Sequence, residues 1–161
     1  MSTPCRTLTL AVTPLVKNIV LASTKGKPLF ISRDPRRPFN PYAVHLFALL
    51  DRKHMRYFEA AGREIGHEAL TDTLEVEIPD WQIRYGGGGE ITPARELAFN
   101  TFVMKLFRQR LRDEIAIRME TTASIRRAAE QTLLRWGVCE DLYPLSAAVR
   151  YYGRNRQEAE G

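Results

Sequence analysis

The sequence predicts an α+β protein, with its strands concentrated in the first 86 residues and helices in the rest. Strand-like alternation is clearest in "TLEVEIPD", where apolar residues alternate with glutamates. From residue 92 onward, apolar residues recur every three or four positions, as in amphipathic helices. We therefore expect a strand-rich, self-associating part at 1–86, a glycine hinge at 87–91, a helical basic part at 92–156 and a disordered tail at 157–161.

The N-terminal part opens with a strand and a capped helix. In "TLTLAVT", Leu8, Leu10 and Val12 alternate with smaller side chains, which predicts a half-buried strand. Thr13 and Pro14 then provide an N-cap and a first-turn proline for the helix "PLVKNIVLAST". "PLFISR" predicts a second strand. Its pairing stays open, because a parallel crossover needs a dozen residues or more.

A helix is expected to start at Asn40 and Pro41 and to continue through "PYAVHLFALLDRKHMRYF". Its predicted apolar face consists of Ala43, Val44, Phe47 and Leu50. His45 lies inside this apolar run, so we expect a core histidine rather than a metal ligand. "WQIRY" is predicted to be the partner strand of "TLEVEIPD", with "PD" as the turn between them.

Three helices are predicted after the glycines. Thr92 and Pro93 start a long one, and Ser124 and Gly137 cap and end the next. "PLSAAVRYYGRNR" predicts the last helix. The order of helix, glycine-containing turn and helix resembles a helix-turn-helix, although the connector exceeds the usual 3–4 residues.

Composition and charge narrow the class of protein. The chain of 161 residues is 44% hydrophobic and 27% charged, with two cysteines and no apolar run near the ~20 residues of a membrane span. A cytoplasmic protein that does not enter the membrane is expected. The net charge of +5 is the sum of +6 over residues 1–70, −4 over 71–104 and +3 over 105–161. Such basic blocks favour polyanionic partners.

The last helix is the main candidate site. Leu145, Val149 and Tyr152 are predicted to face inward, and the opposite face then carries Ser146, Ala147, Arg150, Tyr151 and Arg154. Small residues followed by long cations suit a helix that enters the major groove. Arg156, and Arg126 and Arg127 of the preceding helix, extend the candidate surface. The alternative is a packing helix with solvated arginines.

Other basic segments are weaker candidates. In "SRDPRRPFNP", Arg33, Arg36 and Arg37 stand beside Phe39 and the following Tyr42, an arrangement that suits phosphates and stacked bases. The alternative there is an Asp34–arginine network that fixes the loop. "KLFRQRLRDE" is interpreted as a solvated helix face with local ion pairs, and "GGGG" as a flexible connector rather than a phosphate loop.

The sequence contains no G-x-S-x-G or H-E-x-x-H motif, and neither a metal nor another cofactor is predicted. The architecture resembles that of small prokaryotic or phage-type DNA-binding regulators, which implies a role in transcription regulation. We therefore predict a non-enzymatic homodimer that binds double-stranded DNA, with RNA as the other polyanion to consider. The alternative is an adaptor that assembles through aromatic-rich helices, using Phe99, Phe102, Phe107, Trp136, Tyr151 and Tyr152.

Overall fold

A computed structural model describes residues 4–31, 36–50, 66–86 and 91–160. Its strands are β1 (Cys5–Val12), β2 (Leu29–Phe30) and β3 (Asp72–Pro79). Its helices are α1 (Pro14–Ser23), α2 (Pro41–Leu50), α3 (Asp80–Gly86), α4 (Pro93–Arg118), α5 (Ile125–Arg135) and α6 (Leu145–Glu160), with a short 3-10 helix at His67–Ala69. One small N-terminal sheet with a mostly helical remainder confirms the predicted α+β class. The chain forms two compact units, residues 1–103 and 104–161.

The sheet has the order β1-β3-β2, so the first and second strands do not pair with each other. β3 is antiparallel to β1, with Leu74 opposite Leu10, and parallel to β2, with Val76 opposite Leu29. Residues 31–71 connect β2 to β3, which is ample for a parallel crossover. The side chains on the inner face are at most 1% exposed: Leu10, Val12, Leu29, Leu74, Val76 and Ile78.

The prediction that "WQIRY" forms the partner strand of β3 is wrong. These residues belong to the helix α3, in which Gln82 is buried and Trp81 is 45% exposed. Asp80 lies in its first turn, where a carboxylate suits the helix dipole. β3 instead pairs with a strand more than sixty residues earlier in the chain. Five residues are too few for their periodicity to separate a strand from a helical turn.

The start of α2 is as predicted, but its buried face is different. Asn40 caps the helix, because its Oδ1 accepts bonds from the backbone N–H of Tyr42 at 3.0 Å and of Ala43 at 3.3 Å. Val44, predicted to face inward, is 53% exposed. The buried side chains are Tyr42, Ala43, Leu46, Leu49 and Leu50. The helix is apolar on all sides, so its sequence defines no single inward stripe. Its predicted continuation beyond Leu50 lies outside the described residues.

Polar side chains of α4 cover the edge strand β1. Asn100 is fully buried, and its Oδ1 accepts a bond from the Thr13 N–H at 3.0 Å. Its Nδ2 donates to the carbonyl of Ala11 at 3.0 Å and to that of Glu96 at 2.8 Å. The Glu96 carboxylate accepts a bond from the Ala11 N–H. Backbone groups that have no neighbouring strand are thereby satisfied by side chains.

The second unit is organised around an aromatic cluster. Phe107 of α4 makes edge-to-face contacts with Trp136, at a centroid distance of 5.8 Å, and with Tyr143, at 5.1 Å. Gly137 ends α5 as predicted, with φ +69°, and the bond from the Val138 N–H to the Leu133 carbonyl at 3.0 Å completes a Schellman motif. The chain is thereby turned towards α6.

His45 stacks on Phe102 in the first unit, with ring centroids 3.8 Å apart and planes 7° from parallel. Burial lowers the pKa of His45 from 6.5 to about 4. The unfolded chain therefore binds the proton at a higher pH than the folded chain does.

We expect His45 to remove about 1–3 kcal/mol of stability as the pH falls from 6.5 towards 4. Urea unfolding at neutral and acidic pH checks this, and the parent's extra acid sensitivity should be absent in His45→Phe. An equal pH dependence in both proteins contradicts it.

Candidate nucleic-acid interface

The connector before α6 fixes where that helix begins. It consists of residues 136–144, which is longer than the turn of a strict helix-turn-helix. Pro144 directly precedes the helix, and its carbonyl accepts bonds from the N–H groups of Ala147 and Ala148. A Glu140 carboxylate oxygen accepts a bond from the Leu145 N–H at 3.0 Å. The N-terminus of α6 is therefore already occupied by an anionic group of the chain itself.

The inward face of α6 agrees only in part with its prediction. Leu145, Val149 and Tyr152 are half-buried, but the side chain with no exposure at all is that of Ala148. α6 contacts α5, whose buried residues are Ala128, Ala129, Thr132 and Leu133. Small side chains allow the helix backbones to approach closely. The burial of Ala148 could not be predicted from hydrophobic periodicity, because an alanine side chain contributes little to an apolar stripe.

The outward face of α6 presents a column of polar side chains. Ser146, Arg150 and Arg154 are exposed and follow one another at four-residue steps, so the column is about 12 Å long at 1.5 Å per residue. No hydrogen bond or ion pair joins Arg150 or Arg154 to any residue in the described ranges. Arg156 is exposed as well. Tyr151, predicted on this face, is instead half-buried.

Tyr151 lies close to the buried Tyr143 of the preceding connector. Burial raises the pKa of the Tyr143 phenol, and Tyr151 adds to this increase, whereas a hydrogen bond with Arg108 acts in the opposite direction. The contact between Arg108 and Tyr143 was not predicted from the sequence. One basic residue of the same α4 segment forms a local ion pair as expected, namely Arg112 with Asp113 at 3.5 Å.

Arg126 and Arg127 are both exposed in the first turn of α5. This turn is capped by Ser124, whose hydroxyl accepts a bond from the Arg127 N–H at 3.3 Å. A cation near a helix N-terminus opposes the helix dipole and costs about 0.3–1 kcal/mol. Two adjacent arginines are therefore placed where folding alone does not favour them, although both remain accessible to a ligand.

The predicted arginine loop belongs to the other unit, and Arg33 lies outside the described residues. Arg36 and Arg37 are exposed. The Arg37 guanidinium carbon lies 3.6 Å from the centroid of the Phe30 ring, which is a cation–π contact. One of the predicted arginines therefore contacts an aromatic side chain, but this side chain is Phe30 and not the predicted Phe39 or Tyr42.

The site and fold define an α+β protein with an exposed basic C-terminal helix. Comparison of the chain with protein-family models, curated proteins and solved structures gave no significant match. In the described ranges, no three His, Cys, Asp or Glu side chains are grouped to hold a metal ion. No helix in the same part of the chain has both the length and the apolar character needed to cross a bilayer.

Proposed function

We propose that this protein is a non-enzymatic nucleic-acid-binding protein that contacts double-stranded DNA through α6. The observation that carries the proposal is the column of Ser146, Arg150 and Arg154, exposed on the side opposite the buried Ala148. Guanidinium groups in this position are able to reach phosphates or guanine edges. Arg156 and the two arginines that begin α5 supply further positive charge on the same unit.

The position of the cations along α6 favours DNA contact from the middle of the helix. Ser146 lies in the first turn, and Arg150 and Arg154 follow one and two turns later. The Glu140 carboxylate at the N-terminus repels phosphates at that end. Binding therefore depends on the arginine side chains rather than on the helix dipole. One short helix supplies few contacts, so we expect two copies of the chain to bind together as a homodimer.

The alternative function, an adaptor that assembles with other proteins, was predicted from the large number of aromatic residues in the helices. Phe99 and Phe107 are 0% and 3% exposed, and Phe102 and Trp136 are half-buried with ring partners in the same chain. Packing within the chain therefore accounts for much of the surplus. Leu134 and Ile117 are large apolar side chains that remain exposed, at 79% and 60%. They are single side chains on different helices, which is ordinary for a protein surface.

A salt titration of duplex binding tests the proposal. We expect the logarithm of the affinity for a random-sequence duplex to fall linearly with the logarithm of salt concentration, by about 0.9 per phosphate contacted. Arg150 and Arg154 alone then account for a slope of about −1.8. Fluorescence anisotropy with a labelled duplex measures it. An affinity that does not change with salt, or no binding at low salt, contradicts the proposal. Tighter binding of double-stranded RNA would reassign the ligand.

A further inference from the structure

An open groove in the first unit provides a second candidate site. It has a volume of about 960 Å³ and lies between the C-terminal end of α1, β2 and the first turns of α2. Its base is apolar, with contributions from Leu29, Phe30, Ala43 and Phe47. Phe39 and Val44, which line it, are 81% and 53% exposed, so the groove is open to solvent at these residues.

The walls of the groove are held in place by hydrogen bonds. The Asn40 amide Nδ2 donates to the Ser23 hydroxyl at 3.0 Å, which ties the start of α2 to the end of α1. The Thr24 hydroxyl donates to the Lys27 carbonyl at 2.6 Å and so fixes the turn between α1 and β2. A ligand therefore meets an arrangement that is already formed, which lowers the entropic cost of binding.

All charged side chains that the structure shows lining the groove are cationic: Lys25, Lys27 and Arg37. Within the described residues, none of the three forms an ion pair. Lys25 has φ +56°, at the position after a helix where glycine is usual. A lysine therefore occupies a left-handed backbone conformation that favours glycine. Because strained residues of this kind often serve a function, we infer that the Lys25 side chain contacts a ligand.

Phe39 and Arg37 have complementary roles in this groove. Phe39 is more exposed than Phe30 and Phe47, the other aromatic residues that line the groove, and its open ring face is available for stacking. Arg37 lies over the Phe30 ring, at 3.6 Å from its centroid, and this contact orders the guanidinium before any ligand arrives. Each nucleotide of a single-stranded nucleic acid carries both a charged phosphate and a base that can stack, and this groove offers both cations and aromatic surface. An acidic peptide carries the charge but stacks only where it has an aromatic residue.

We propose that this groove binds a single-stranded nucleic-acid segment, with phosphates at Lys25, Lys27 and Arg37 and a base stacked on Phe39. The site is separate from α6, and its existence does not depend on duplex binding by that helix. From the sequence, Lys25 and Lys27 were predicted only to end a helix. In this proposal they bind phosphates of the ligand.

Binding of a short labelled oligothymidylate at low salt tests the proposal. Phe39→Ala should weaken binding on the order of tenfold, since one stacked base is lost, whereas Phe39→Trp should retain it. Leu134→Ala is the matched control, because it removes a similarly exposed apolar side chain from the other unit and should change nothing. Unchanged affinity in Phe39→Ala overturns the stacking site.

A second variant separates ligand binding from folding. Lys25→Gly relieves the left-handed backbone, so we expect the midpoint of thermal unfolding to rise by about 2 °C while oligothymidylate binding weakens. A protein that is more stable but binds more weakly excludes misfolding as the cause. Oligothymidylate binding that is unaffected by Lys25→Gly contradicts the phosphate contact.

Two further arms distinguish this site from α6 and from a peptide-binding groove. The double variant Arg150→Glu, Arg154→Glu should bind oligothymidylate as the parent does. If this double variant loses oligothymidylate binding and Phe39→Ala retains it, the groove proposal fails. A copolymer of glutamate and tyrosine that binds in a Phe39-dependent way, without oligothymidylate binding, would reassign the groove to an acidic peptide. Failure of duplex binding alone would leave the groove result unchanged.

Discussion

Replacing Arg150 and Arg154 together by glutamate is expected to abolish measurable duplex binding at physiological salt. Each arginine contact with DNA contributes about 1–3 kcal/mol, so two losses reduce the affinity roughly thirtyfold or more, before repulsion by the new carboxylates is added. Because both arginines are exposed and form no ion pair in the described ranges, the free energy of unfolding should change by less than about 0.5 kcal/mol. Anisotropy titrations and urea unfolding measure the two quantities.

Lys105→Glu with Arg110→Glu is the charge-matched control. Both residues are exposed on α4. Each double variant lowers the net charge from +5 to +1, because every substitution removes two charge units. If the control loses as much affinity as the α6 variant, binding reflects overall charge and no defined helix face. If the α6 variant binds like the parent, α6 is not the interface.

Elements defined by neighbouring residues could be predicted from the sequence. Thr13 accepts a bond from the Val16 N–H at 3.1 Å, and Ser124 caps α5 in the same way. Gly137 has the positive φ that its place after a helix requires. These signals depend only on residues within one or two helical turns, so no knowledge of the tertiary structure is needed.

Features that depend on distant residues could not be predicted in the same way. β3 pairs with β1 across more than sixty residues, so the residues next to β3 were free to form α3. The exposed arginines of α6 were found from helical spacing, but the half-buried position of Tyr151, close to Tyr143 of the preceding connector, could not be predicted in this way. The groove walls join residues of α1, β2 and α2, and single-element patterns carry no information about such a junction.

Asn100→Leu is expected to produce a large loss of stability in the first unit. Leucine has the same number and branching of side-chain heavy atoms but cannot bond the Thr13 N–H or the Ala11 carbonyl. Each of these two backbone groups costs about 1–3 kcal/mol when it is left without a partner, so we expect a total loss of about 2–6 kcal/mol. That is a large fraction of the 5–15 kcal/mol typical of a folded domain. Urea unfolding monitored by circular dichroism measures the change.

Thr101→Val on the same helix is the control for a general effect of burial. Thr101 is also buried, at 7% exposed, but no hydrogen bond connects it to β1 in the part of the chain that the structure describes. Its substitution should cost less than about 1.5 kcal/mol. If Asn100→Leu costs no more than Thr101→Val, the edge of β1 is not held by Asn100. If Asn100→Leu causes a large loss and Thr101→Val does not, the side chain of Asn100 holds the edge of β1. Its amide hydrogen bonds then take the place of a neighbouring strand.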